Sequence, residues 1–179
     1  MEIMRLVVTG PVGSGKTTFI RTISEIEVVE TDRIATDDVA QWKEKTTVAL
    51  DFGKLQFAPE MTLHLYGTPG QARFDFMWQL LISKAHAYIV LVAAHRPKQF
   101  VLARRLIEFM DERAKIPMVI GVTHRDCHQA WEIENIAAAL GYPEKEDRPL
   151  FISVNANETT SVAQAVITLV KQLMEKRKS

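Results

Sequence analysis

Short runs of apolar residues alternate along the chain with longer segments in which apolar residues recur every three or four positions. The short runs are rich in valine, isoleucine and leucine and predict β-strands over residues 3–9, 48–52, 62–66, 88–93, 118–122 and 150–154. The longer segments have the period of amphipathic helices and predict helices over residues 16–25, 74–85, 97–114, 130–140 and 159–175. Pro97 suits the first turn of the third helix, and Gly141 suits the C-cap of the fourth.

The alternation of strands and helices predicts an α/β sandwich with a mostly parallel sheet. Residues 48–57 and 61–66 are the exception, because the turn Ala58-Pro59-Glu60 is too short for a crossover helix and the two strands must pair antiparallel. We therefore expect three layers: a sheet of about six strands with one antiparallel edge strand, and helices on both faces. The polar region 27–46 is interpreted as a long functional loop.

Composition narrows the class of protein further. A chain of 179 residues with 22 basic and 22 acidic side chains fits one domain and gives no sign of a nucleic-acid binder. Cys127 is the single cysteine, and no apolar run approaches the roughly 18 residues of a membrane span. The N-terminal residues do not resemble a signal peptide, and we find neither a C-terminal prenylation cysteine nor a myristoylation glycine. We expect a cytoplasmic protein without a lipid anchor.

Residues 10–17 read GPVGSGKT and match the phosphate-binding pattern G-x-x-x-x-G-K-[ST] between a predicted strand and a predicted helix. The chemistry needs glycines because backbone N–H groups must converge on an anion at a helix N-terminus. Lys16 is expected to reach the β- and γ-phosphates and support catalysis, and the Thr17 hydroxyl is expected to bind Mg²⁺. The candidate nucleotide-binding residues of this loop are Gly10, Gly13, Ser14, Gly15, Lys16, Thr17 and the neighbouring Thr18. The fold class is therefore a P-loop sandwich.

Four further motifs follow in order along the chain. Residues 47–52 read TVALDF, residues 67–71 GTPGQ, residues 123–126 THRD and residues 155–157 NAN. Together with the phosphate loop, these motifs span nearly the whole chain in the order and spacing of the Ras-like small GTPases, which the sequence resembles. The resemblance implies a single small-GTPase domain over residues 1–179, with GTP or GDP and Mg²⁺ as ligands.

The resemblance assigns roles to two switch regions. Thr47 matches the first-switch threonine that senses the γ-phosphate and binds Mg²⁺, and Thr46 is the alternative. Gly70 would offer its N–H to the γ-phosphate, and Gln71 matches the catalytic glutamine that orients the attacking water. Gly67 departs from the pattern, because the family usually has there an aspartate that holds Mg²⁺ through water.

This departure predicts a magnesium site that is weaker or differently arranged. A carboxylate from the long loop is a possible substitute, and the candidates there are Asp32, Asp37 and Asp38. None of the three is favoured over the others.

The base-recognition motif also departs from the family's N-K-x-D. Asp126 remains, and its carboxylate can accept hydrogen bonds from guanine N1–H and the 2-amino group, whereas adenine has no 2-amino group. Unpaired buried acceptors would disfavour ATP. His124 is a candidate to stack over the base, while Thr123 is too short to mimic asparagine fully. Asp126 is also consistent with a helix N-cap.

The fifth motif resembles the family's final S-A-K loop. Asn155 and Ala156 are its candidate binding residues, with the Ala156 N–H expected to face guanine O6. Ser153 offers an alternative register.

A second switch without a leading aspartate is similar to that of the prokaryotic MglA-like small GTPases. Members of that branch commonly act with roadblock-type proteins, some of which activate hydrolysis. The resemblance therefore implies a slow GTPase that works as a molecular switch with a regulatory protein partner.

Two other functions are consistent with parts of the sequence. A nucleotide-dependent interaction module with little or no hydrolysis would explain Gly67 and the altered base motif. A P-loop phosphotransferase usually needs an arginine-bearing lid, and Arg104 and Arg105 lie instead in a predicted amphipathic helix.

Overall fold

The computed structural model describes residues 1–28, 50–68 and 75–179, apart from the side chains of residues 75 and 76. Within these residues the strands are β1 (Glu2–Thr9), β2 (Asp51–Ala58), β3 (Met61–Gly67), β4 (Ala87–Ala93), β5 (Met118–Thr123) and β6 (Leu150–Ser153). The helices are α1 (Lys16–Ile23), α2 (Asp75–Lys84), α3 (Phe100–Arg113), α4 (Ile133–Ala139) and α5 (Thr159–Lys178). A single 3₁₀ turn, Pro97–Gln99, precedes α3.

The described strands form one sheet in the order β2-β3-β1-β4-β5-β6. β1 lies between β3 and β4 and is parallel to both, while β2 pairs antiparallel with β3 through the turn at residues 59–60. The predicted fold class is therefore confirmed, including the antiparallel edge strand.

Each face of the sheet is covered by helices with its own apolar core. On one face α2, α3 and α4 pack on the sheet, with Trp78, Leu106 and Ile136 among the buried side chains. On the other face α1 and α5 contribute Ile20 and Leu169. β4, in the middle of the sheet, is buried at every residue, as expected for a parallel strand covered on both faces.

Several helix boundaries differ from the prediction, and contacts with distant residues account for two of them. α1 ends at Ile23 because Ser24 is extended, and the Ser24 hydroxyl accepts a hydrogen bond from the Lys54 backbone N–H at 3.0 Å. The segment that opens with Pro97 begins as a 3₁₀ turn rather than an α-helix. α4 begins at Ile133 rather than at residue 130, since the Trp131 N–H donates to the Ala94 carbonyl at 2.8 Å.

The predicted edge strand began at residue 48. β2 begins at Asp51, and residues 48 and 49 lie outside the described residues. Among the helices that the structure describes, none is both long and apolar enough to cross a membrane.

Candidate nucleotide-binding site

The phosphate loop and the motifs at residues 123–126 and 155–157 lie at one edge of the sheet, because parallel strands end on the same side. The carboxyl ends of β1, β3, β4, β5 and β6 meet there, and β2 begins there because it runs in the opposite direction. The phosphate loop follows β1 and both base-recognition motifs follow β5 and β6. Ligands of open α/β sheets bind at this edge.

Gly10 and Gly15 show why the backbone of the phosphate loop needs glycine. Gly10 has φ +147°, and a Cβ there would lie 2.3 Å from the Leu91 carbonyl oxygen. Gly15 has φ +103° and forms the N-cap of α1, where no side chain caps the helix. The first N–H groups of α1 are therefore directed to a site suited to an anion.

Lys16 lies inside this loop and is 9% exposed. Its ammonium donates to the carbonyl oxygens of Gly10 and Pro11, both at 2.8 Å. Burial lowers the pKa of Lys16 to about 8, and the nearby Asp51 carboxylate acts in the opposite direction. A phosphate group beside this ammonium would compensate the charge that burial disfavours.

Thr17 is paired with an acid that the sequence analysis did not single out. Its hydroxyl donates to the carboxylate of Asp51, the first residue of β2. Asp51 is the cross-strand partner of Gly67, and a Cβ on Gly67 would lie 3.1 Å from the Asp51 Cβ. The carboxylate thus lies beside the position where the resemblance expected an aspartate.

A hydroxyl and a carboxylate at the phosphate loop are oxygen ligands of the kind that Mg²⁺ uses together with substrate phosphates. No cluster of three or more histidine, cysteine or acidic residues occurs in the part of the chain that the structure describes. The donor set fits magnesium, which needs few protein ligands, better than it fits zinc. Asp32, Asp37 and Asp38, the substitutes named from sequence, lie outside the described residues.

The two base-recognition motifs form a single cavity of about 330 Å³, lined by residues 123–127 and 153–157. Gly15 connects this cavity to the phosphate loop. A Cβ on Gly15 would lie 3.5 Å from the Ala156 Cβ and 3.9 Å from the Thr123 Cγ2. Phosphate and base sites are therefore contiguous.

Thr123 links the two sites through its buried hydroxyl, which donates to the Ser14 carbonyl oxygen at 2.8 Å. His124 follows with φ +57°, and its ring centroid lies 4.8 Å from that of His95. Burial first, then the neighbouring His95 and Arg96, lower the pKa of His124, while Asp126 opposes this shift. A neutral ring at the cavity suits stacking on a base.

Asn155 and Ala156 take part in hydrogen bonds, one local and one with α1. Asp126 is exposed at the cavity. The Asn155 side-chain oxygen accepts from the Asn157 N–H at 3.1 Å, and the Thr22 hydroxyl donates to the Ala156 carbonyl. Thr18 lies in α1 with its carbonyl accepting from Thr22 at 2.8 Å.

Thr47, Gly70 and Gln71 lie outside the described residues, so their roles stay predictions. Sequence reasoning missed Asp51 and Arg96. The sequence did indicate that Asp51 lies near this edge of the sheet, because an antiparallel edge strand begins where its neighbour ends. The sequence indicated Arg96 only through its position three residues after the end of β4.

The fold and the phosphate loop define a P-loop protein with the architecture of the small GTPases. The chain belongs to the family described as "conserved hypothetical ATP binding protein", whose model matches residues 8–176. That description names ATP, whereas Asp126 of this chain was predicted to favour guanine.

Two relatives are similar to this chain in sequence. Over 179 residues the chain is 28% identical to a Ras and EF-hand domain-containing protein of Danio rerio, covering 96% of this chain and 25% of the relative. Over 94 residues it is 32% identical to an uncharacterized protein of Methanocaldococcus jannaschii, covering 52% of this chain and 53% of the relative. The chain thus spans a quarter to about half of the length of these relatives.

A solved structure shows the same fold. The small GTPase Arl6 (BBS3) of Trypanosoma brucei, solved with the bound nucleotide analogue GppNp, superimposes with a TM-score of 0.73 at 15% identity. The match covers 97% of this chain and 99% of the other.

Proposed function

We propose that residues 1–179 form one guanine-nucleotide-binding domain that hydrolyses GTP slowly and acts as a switch. The observation that carries this proposal is the position of Gly15 beside both Thr123 and Ala156, which supports one continuous site for phosphates and base. Lys16 and the N-terminus of α1 provide the charge for the phosphates. The nucleotide that co-purifies with the protein, identified by chromatography, tests phosphate and base recognition together.

Guanine is the preferred base in this proposal because Asp126 lines the cavity. We expect Asp126→Ala to lower GDP affinity by about 10-fold or more, since two hydrogen bonds to a carboxylate are lost, and to leave ADP affinity unchanged. Titration calorimetry with both nucleotides measures this, and Asp147→Ala, at an exposed acid outside the cavity, is the matched control. Equal affinity of the wild type for GDP and ADP would instead favour the adenine nucleotide of the family's description.

Thr17 and Asp51 are the residues that would hold Mg²⁺, with Thr47 completing the site in the GTP state. When bound, the ion neutralises charge that develops on the transferred phosphoryl group. The Asp51 carboxylate accepts the hydrogen bond of the Thr17 hydroxyl, and it opposes the lowering of the Lys16 pKa by burial. In this proposal one carboxylate, one hydroxyl and one ammonium would surround the phosphates.

A substitution of Gln71 distinguishes a hydrolysing switch from a nucleotide-binding module with little hydrolysis. We expect Gln71→Leu to lower the single-turnover rate of GTP hydrolysis, with and without an activating protein, because the attacking water loses its orientation. GDP affinity should remain nearly unchanged. Gln164→Leu on the exposed side of α5 is the control. Identical rates for wild type and Gln71→Leu would reject the switch and favour the binding module.

The MglA-like character and the roadblock-type partner are also part of this proposal. Gly67, where Ras-like GTPases usually have an aspartate, supports the MglA-like assignment. An activating partner would supply an arginine or fix Gln71, help that is worth roughly 10³ to 10⁵ in rate in GTPases.

A further inference from the structure

The loop after β4 places a cation on the phosphate loop. Arg96 follows the end of β4 by three residues. A Cβ built on Gly13 would lie 2.5 Å from the Arg96 Nη1 and 3.2 Å from its Cζ. The guanidinium therefore fills the space beside Gly13 that a side chain would otherwise occupy.

Several hydrogen bonds fix this position of Arg96. The Arg96 N–H donates to the Ala93 carbonyl at 3.2 Å, and the Arg96 carbonyl accepts from the Gln99 N–H at 3.0 Å. The Gln99 side-chain amide donates to the Val12 carbonyl at 2.9 Å, which ties the turn to the phosphate loop. The Arg96 Nε donates to His95 Nε2 at 3.4 Å.

The guanidinium of Arg96 lies at a different part of the phosphate loop from the Lys16 ammonium. Ion pairs among residues 1–28, 50–68 and 75–179 do not include Arg96. Its charge also contributes to the lowered pKa of His124, a residue that lines the cavity. Lys16 instead lies by the carbonyls of Gly10 and Pro11 at the beginning of the loop. Two cationic side chains, Lys16 and Arg96, therefore lie at the phosphate loop.

We propose that Arg96 binds the α- and β-phosphates of the nucleotide from within the same chain, which rests on the proposed function. A guanidinium is suited to this task because its planar donors match two phosphate oxygens at once. GDP and GTP share these phosphates, so Arg96 anchors both nucleotides equally and takes no part in transfer of the γ-phosphate. It differs in this respect from an arginine that stabilises the transition state.

The test compares Arg96→Ala, Arg96→Lys and the control Arg105→Ala, an exposed arginine of α3. We expect Arg96→Ala to weaken GDP and GTP binding alike by about 10- to 100-fold, the effect of losing charge-assisted hydrogen bonds. Arg96→Lys should recover part of the affinity. The melting temperature of the nucleotide-free protein should stay the same in all variants.

Each other outcome has a defined meaning. Unchanged GDP affinity in Arg96→Ala, with a wild type that binds GDP, overturns the inference and leaves the proposed function intact. A loss of hydrolysis with full affinity also overturns it, because Arg96 would then act on the γ-phosphate. A wild type that binds no nucleotide, measured before any variant, rejects the proposed function itself.

Discussion

Lys16→Ala is expected to reduce nucleotide binding by at least about 100-fold, below detection by calorimetry. The ammonium lies within the phosphate loop, where it donates to two carbonyl oxygens, and its removal deletes the charge expected to bind the phosphates. The nucleotide-free variant should be as stable as the wild type or more so, because a buried cation costs desolvation. Lys54→Ala, at an exposed lysine of β2, is the control.

The lowered pKa of Lys16 also predicts how nucleotide affinity depends on pH. Burial lowers its pKa to about 8 in the nucleotide-free protein, and a bound phosphate would raise this pKa again. Above about pH 8, nucleotide binding is therefore accompanied by uptake of a proton at Lys16. Nucleotide affinity should fall as the pH rises further, by an amount that approaches about tenfold per pH unit. Lys16→Met should bind weakly without this slope between pH 8 and 9. A wild-type affinity that is flat over this range would contradict the lowered pKa.

The parts of the fold and site that the sequence predicts are those encoded by neighbouring residues. The phosphate loop is a contiguous motif between a strand and a helix, and the short turn at residues 59–60 forces β2 and β3 to pair antiparallel. Helix ends were predicted less well, because they depend on distant partners. The Trp131 N–H bonds to Ala94, and the Ser24 hydroxyl bonds to Lys54.

Asp51 and Arg96 were missed because their roles depend on register and on side-chain reach. Strand pairing alone does not place Asp51, since a shift of one residue would turn its carboxylate to the other face of the sheet. The pairing of Asp51 with Gly67 directs it to Thr17. The contact of Arg96 with Gly13 requires β4 to lie beside β1 and a tight turn at Pro97.

Asp51→Asn is expected to remove most of the effect of Mg²⁺ on GDP affinity, lowering the gain from the ion by about 10- to 100-fold. The substituted amide can still accept the hydrogen bond of the Thr17 hydroxyl, so the structure of the empty site should persist. The charge that attracts a divalent cation is lost. Calorimetry of GDP binding with Mg²⁺ and with a chelator measures the difference, and Asp111→Asn, on the exposed side of α3, is the control.

A second variant tests whether Asp51 serves in place of an aspartate at position 67. A Cβ on Gly67 would lie 2.9 Å from the Ile20 Cδ1 and 3.1 Å from the Asp51 Cβ, so Gly67→Asp alone would crowd the site and place two carboxylates together. In Asp51→Ala/Gly67→Asp the second carboxylate is absent and the end of the Ile20 side chain can shift. We therefore expect this double variant to recover part of the Mg²⁺ dependence that Asp51→Ala loses. A magnesium effect that is the same in wild type, Asp51→Asn and Asp51→Ala would show that the ion is held elsewhere, and Asp51 would then serve only to fix Thr17.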